Sequence, residues 1–173
     1  MRPSIIQPPH IEPLGSHHDR AAFICGKPAL ETWLTRQAGQ EMERMVSVTY
    51  VLQGAEPSEI AGYYTLAATS VLLNDLPEGV AKRLPRYPAV PATLLGRLAV
   101  ASGYQGQRLG ELLLMDALRR SWETSKTIGS TAVITDAKDA DARRFYEKYD
   151  FRAFAGTPGR LFLPMATVRR LFS

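Results

Sequence analysis

This sequence predicts an α/β fold, a single mixed central sheet flanked by helices, and three observations predict it. Two strand-like runs, "VSVTYVLQG" and "EIAGYYTLAATSVLL", lie either side of a short turn in the first half. Strand-like and helix-like segments then alternate through the second half. The length of 173 residues is ample for one domain with its own core and short for two.

The elements follow in order. Pro3, Pro8, Pro9 and Pro13 make residues 1–13 a loose arm that ends in a short edge strand. From Lys27, Leu30, Trp33, Leu34 and Ala38 recur at the spacing of one buried helical stripe. The hairpin comes next, with Gly54 to Ser58 as its turn. "NDLPEGVAKRLPRYPAVP" holds four prolines, so it forms an excursion with one short helix, a place where substrate contacts concentrate. "ATLLGRLAVA" is nearly continuous in apolar character, as expected of a central strand buried on both faces. A helix from about Gln107 to Glu123 follows, its core stripe being Leu109, Leu112, Leu113, Ala117, Leu118 and Trp122. "STAVITD" is a strand and "DADARRFYEKYD" a helix with Ala142, Phe145, Tyr146 and Tyr149 on one stripe. "FRAFAG" and "RLFLPM" are the last strands.

Composition narrows the class. The chain is 45% hydrophobic and 22% charged, ordinary for a globular protein. No apolar stretch approaches a bilayer's thickness, so no membrane is expected. The opening residues carry Pro and His where a secretory leader needs Leu and Ala. One cysteine, Cys25, permits no internal disulfide and suits a reducing compartment, so the expected location is cytoplasmic. His10, His17 and His18 show no metal-ligand spacing with one another or with Cys25, and no metal is expected. Charge is polarised. Residues 1–81 carry five Lys or Arg against nine Asp or Glu, residues 82–173 sixteen against eight. The second half therefore offers itself to an anion: a phosphorylated cofactor, a nucleic acid, or both.

Gln105-Gly106-Gln107-Arg108-Leu109-Gly110 marks where such an anion binds. The first turn of a helix presents amides without intrahelical partners at the positive end of its dipole. Glycines let a ligand approach those amides closely. Gln105 and Arg108 add side-chain donors, so the segment reads as a pyrophosphate cradle.

Those residues, with "LGRLAV" before them and "ARRFYEKYDF" about thirty residues on, resemble the GNAT superfamily of acetyl-CoA-dependent N-acetyltransferases. Its signature [QR]-x-x-G-x-[GA] is met except that Arg108 stands for Gly. In its second motif Asp139 stands for Asn, and Asp150 stands where Gly is usual. The resemblance runs from about Leu14 to Phe172. "FICGKPALETWLTRQA", with Cys-Gly-x-x-x-Leu-x-x-Trp-Leu at Cys25 to Leu34, together with "GYYTLAA" and "LPRYPAVPATLLGRLAV", is similar to the acetyltransferase toxins of bacterial toxin–antitoxin pairs.

The resemblance implies a single GNAT domain over 1–173, with acetyl-CoA as co-substrate. Leu98, Ala99 and Val100 would bond pantetheine, and Gln105, Gly106, Gln107, Arg108, Leu109, Gly110 and Glu111 would hold the pyrophosphate. Asp139 and Phe145 would complete the cofactor set. Tyr146 would be the general acid that protonates the leaving thiolate. It further implies an α-amino acceptor on aminoacyl-tRNA, a block of translation, a homodimer, and a ribbon-helix-helix antitoxin that brings operator DNA. A small-molecule amine or a protein N-terminus is the alternative acceptor.

Two readings of the residues bear on that choice. Neither "GYYTLAATSVLL" nor "ATLLGRLAVA" contains a carboxylate, leaving Asp75, Glu78 or a water as base. A lysine amine needs such help near neutrality and an α-amine much less. Lys82, Arg83, Arg86, Arg97, Arg143 and Arg144 are the candidate tRNA contacts, with Tyr87 available to stack on a base.

Overall fold

The computed structural model describes residues 2–173. Seven strands form one mixed sheet: β1 (Ile11–Pro13), β2 (Val48–Gln53), β3 (Ile60–Leu72), β4 (Ala89–Val100), β5 (Ala132–Asp136), β6 (Arg152–Ala153) and β7 (Arg160–Pro164). Their order is β1-β2-β3-β4-β5-β7-β6. β1, β2 and β3 pair antiparallel in sequence. β4 and β5 run parallel, and β7 is antiparallel to both β5 and β6. The helices are α1 (Pro28–Arg36), α2 (Ala38–Glu43), α3 (Glu78–Ala81), α4 (Leu109–Ser125), α5 (Ala140–Lys148) and α6 (Met165–Phe172). None is long and apolar enough to cross a membrane. The chain divides into two compact units, residues 2–67 with 96–117, and residues 68–95 with 118–173.

The first unit is built on aromatic packing. Trp33 of α1 stacks on Tyr63 of β3 at 6.1 Å between centroids, and Phe23 meets the same ring edge-on. Each such ring removes a large apolar area from water, and Tyr63 satisfies its buried hydroxyl by donating to the Leu30 carbonyl at 2.7 Å. Tyr64 donates to Asp116 of α4. Gly62 is the close point of the packing. A Cβ there would stand 2.8 Å from both the Ala99 carbonyl oxygen and Leu113 Cδ1, so only glycine fits.

The second unit packs Val71, Leu76, Val90, Ala92, Ala132, Ile134, Phe154 and Phe162 together, with Leu73, Val80 and Leu84 against them. Apolar residues at 3–4 spacing thus hold the proline-rich excursion down, and α3 is its one short helix. Trp122 stacks on Phe172.

Several expectations need correction. The arm is not loose: Ile5 is buried, Arg2 Nη1 donates to the Gln105 carbonyl at 3.1 Å, and the Pro3 carbonyl accepts from Gln107 Nε2 at 2.9 Å. The first helix is two, because Gln37 departs from helical φ at −119°. β4 begins at Ala89 and is not buried on both faces; Val90, Ala92, Leu95 and Ala99 are buried while most of the others are half-buried. Apolar content alone does not distinguish a doubly covered strand from one with an open side. On α4, Leu114 and Ser121 are buried although the stripe omitted them, while Leu112 and Trp122 are only half-buried.

Candidate active site

In the first unit, β4 ends at Val100, the short 3-10 turn Ser102–Tyr104 follows, and residues 105–108 lead into α4. Gly106 has φ +84° and Arg108 φ +59°. Two left-handed residues two apart curl the backbone so that consecutive amides face inward, an anion-binding concavity. The amides of Gly106 through Glu111 find no acceptor among the described residues, and those of Leu109, Gly110 and Glu111 lie in the first turn of a 17-residue helix. These are the properties of a phosphate cradle. Arg108 occupies a conformation that costs a side chain on the order of 1 kcal/mol or more, and its guanidinium is solvent-exposed at the mouth of the loop.

Gln105 behaves differently from the expectation. Its amide nitrogen donates to the carbonyls of Cys25 (3.1 Å) and Val100 (3.0 Å), which spends both protons on bracing the loop. Gln107 is likewise occupied by Pro3. Their side chains are therefore struts, and only backbone groups remain for an anion. Arg2 of the N-terminal arm supplies a cation instead, 2.6 Å from where a Gly106 Cβ would be. A charged residue in a proline-rich stretch gives no sequence signal of such a placement.

Leu98, Ala99 and Val100 close β4. Its pairing with β5 covers Thr93 to Leu95, and on that side Gly96–Val100 has no strand partner among the described residues. Apart from the Val100 carbonyl, which accepts from Gln105, this edge offers backbone groups to an extended ligand that pairs like a strand.

In the second unit, Tyr146 lies on the inner face of α5, 6% exposed, with Phe145 and Phe151 rings 5.2 Å away. Burial pushes its hydroxyl up to about 12, opposed by a hydrogen bond with the Thr135 hydroxyl. Thr135 Oγ1 donates in turn to the Leu95 carbonyl at 2.9 Å, so its lone pairs are left to accept from Tyr146. The phenol is thus protonated throughout the physiological range and oriented by a buried partner. Thr135 escapes sequence reading because a threonine in a strand looks like any β-former. Phe145 is half-buried beside Tyr146 and Tyr149.

Asp139 is engaged at the start of α5. It is the N-cap of α5, and its Oδ1 accepts from the Ala142 amide at 2.8 Å. The family's Asn position is therefore a capping position, which Asp fills equally well.

The basic residues divide sharply. Arg97 lies 4.1 Å from the centroid of Trp33 as a cation–π pair, half-buried rather than offered to solvent. Arg143 pairs with Glu147 at 3.1 Å, and Arg144 with Asp141. Arg160 makes a two-pronged contact with Asp136 at 2.9 and 3.1 Å, with Asp75 adding to its field. Lys82, Arg83 and Arg86 are exposed and form no ion pair among the described residues. Lys82, Arg86 and Glu78 line a cleft of about 510 Å³ with Tyr87, which is 64% exposed.

The family model for an acetyltransferase (GNAT) domain matches residues 55–153. A protein named "tRNA-acetylating toxin" from Mycobacterium tuberculosis (strain ATCC 25618 / H37Rv) is 34% identical over 153 residues, 88% of this chain and 90% of its own length. A "probable toxin TacT" from Sinorhizobium fredii (strain NBRC 101917 / NGR234) is 30% identical over 169 residues, 93% of each chain. Among solved structures, AtaT complexed with acetyl-methionyl-tRNAfMet aligns with a TM-score of 0.88 at 29% identity, covering 95% of this chain and 99% of that one. A mutant AtaT toxin bound to acetyl-CoA and the C-terminus of the antitoxin AtaR aligns at 0.80 and 25% identity, covering 96% and 99%. The motif residues, the cradle and these likenesses agree: the chain belongs to the GNAT family of acetyltransferases, together with relatives that are toxins.

Proposed function

We propose that this protein is an acetyl-CoA-dependent toxin that acetylates the α-amino group of aminoacyl-tRNA and so blocks translation. One observation carries the reading furthest: a helix-opening loop of unpartnered amides in a chain 34% identical to a tRNA-acetylating toxin over 88% of its length. The residues fit acetyl-CoA. Amides 106–111, with Arg2 and Arg108, suit the pyrophosphate, and the open edge at Leu98–Val100 suits pantetheine. When bound, acetyl-CoA supplies the activated acetyl group. Orientation of amine and thioester provides most of the rate. Tyr146, held by Thr135, is the proton donor to the departing sulfur. A single catalytic domain is favoured because the matched stretch 55–153 includes segments of both compact units.

Exposed Lys82, Arg83 and Arg86 beside Tyr87 form the tRNA contact, since phosphate recognition needs accessible charge. The acceptor is the α-amine, which is largely deprotonated near neutrality without a dedicated base. An antitoxin neutralises the enzyme, as the AtaT–AtaR complex suggests, and a ribbon-helix-helix protein is the type we favour, bringing operator DNA. The working location is the cytoplasm and the working state a homodimer.

The test is transfer of labelled acetyl from acetyl-CoA to a pool of charged tRNA, with deacylated tRNA as control. Label should appear only on charged tRNA and fall about 10²–10⁴-fold in Tyr146→Phe, the usual range for a lost general acid. Label on polyamine or peptide in place of tRNA would overturn the acceptor and leave the acetyltransferase standing.

A further inference from the structure

The histidines near the N-terminus converge in a way their spacing conceals. Glu12 of β1 accepts from His17 Nε2 at 2.9 Å and His18 Nε2 at 3.0 Å on one oxygen, and from His10 Nε2 at 2.9 Å on the other. The donor atoms of Glu12, His17 and His18 all lie within 4.8 Å of one another. We propose that Glu12, His17 and His18 form a binding site for one divalent transition-metal ion of the Zn²⁺ type.

Four features support this. Ligand atoms about 2.0–2.1 Å from a common tetrahedral ion stand about 3.3 Å apart, so the 2.9 and 3.0 Å separations need to open by only a few tenths of an ångström. Two imidazoles and a carboxylate are a donor set for Zn²⁺, Ni²⁺ or Cu²⁺ and not for Mg²⁺ or Ca²⁺. The His18 side chain has no exposed surface while that of His17 is 54% exposed, giving one rigid ligand and an entry path. Gly15 makes room, since a Cβ there would press on His17 Nδ1 at 3.0 Å.

Ion entry has one structural consequence. Gly15 N–H donates to His18 Nδ1 at 2.9 Å, which leaves the His18 proton on Nε2. Coordination through Nε2 moves that proton to Nδ1, so the Gly15 bond is exchanged for metal ligation. The ion would tie edge strand β1 to the turn that follows it, a role separate from acetyl transfer.

The experiment is calorimetric titration of Zn²⁺ into the full chain without an affinity tag, with Co²⁺ absorption reporting the ligand geometry. One equivalent should bind, and His17→Gln and Glu12→Gln should each weaken it at least tenfold. His17 is exposed enough that its replacement leaves the fold intact, which the thermal midpoint of the apoprotein will verify. Absence of a bound equivalent, or an affinity unchanged in both variants, would overturn the site.

Discussion

Arg108 shows how a single residue can depart from a family pattern and keep the backbone conformation. The family's glycine position here has φ +59°, the conformation that glycine adopts without strain and arginine does not. The proposed cradle uses the backbone, so it tolerates the arginine, which adds a charge beside it. Replacing Arg108 by Gly should therefore leave the thermal midpoint unchanged or raise it, the relief being on the order of 1 kcal/mol. The same change should raise KM for acetyl-CoA about three- to tenfold, the worth of one exposed charge-assisted contact. A drop in stability with unchanged KM would show that the side chain supports the loop instead. Tyr146 illustrates the converse case, a residue whose burial resembles that of any core tyrosine. Its hydrogen bond to Thr135, which in turn donates to Leu95, is what supports the proposed role as proton donor.

At the scale of elements, α5 explains why Asp139 serves where Asn is usual. Both side chains cap a helix by accepting from an amide two or three residues on, and Asp139 does so at Ala142. Asp139→Ala should lower stability by about 1 kcal/mol, read as a shift in the urea midpoint, while Asp139→Asn should change it little. If Asp139 contacted the co-substrate directly, Asn and Ala would instead change KM for acetyl-CoA. β4 serves two purposes in one strand. Thr93 to Leu95 pair with β5, and Gly96–Val100 have no strand partner on that side among the described residues, with the Val100 carbonyl taken by Gln105.

For the molecule as a whole, net charge proves a coarse guide. The excess of cations after residue 81 is real, but Arg143, Arg144 and Arg160 are paired with carboxylates and Arg97 lies against the face of Trp33. On the excursion, Lys82, Arg83 and Arg86 are exposed and form no ion pair among the described residues. Changing these three to Glu should weaken tRNA acetylation at least tenfold and flatten its salt dependence, with KM for acetyl-CoA unchanged. Equal loss toward both substrates would mean that the excursion supports the fold and not the tRNA.

The sequence by itself determined the fold class, the hairpin, the strand-to-helix loop and the position of Tyr146, because each follows from local spacing: period-2 and period-3.6 apolar patterns, and glycines at a helix start. It also determined the family, whose motifs are contiguous. Tertiary structure decided which polar side chains were free. Gln105 serves as a brace, Asp139 as a cap and Arg97 as a cation–π partner, while Arg2, Thr135 and the Glu12–His17–His18 cluster find their partners among residues distant in the chain or brought round by a turn. Hydrogen bonds and ion pairs form between atoms a few ångströms apart in space, and a sequence records separation along the chain alone.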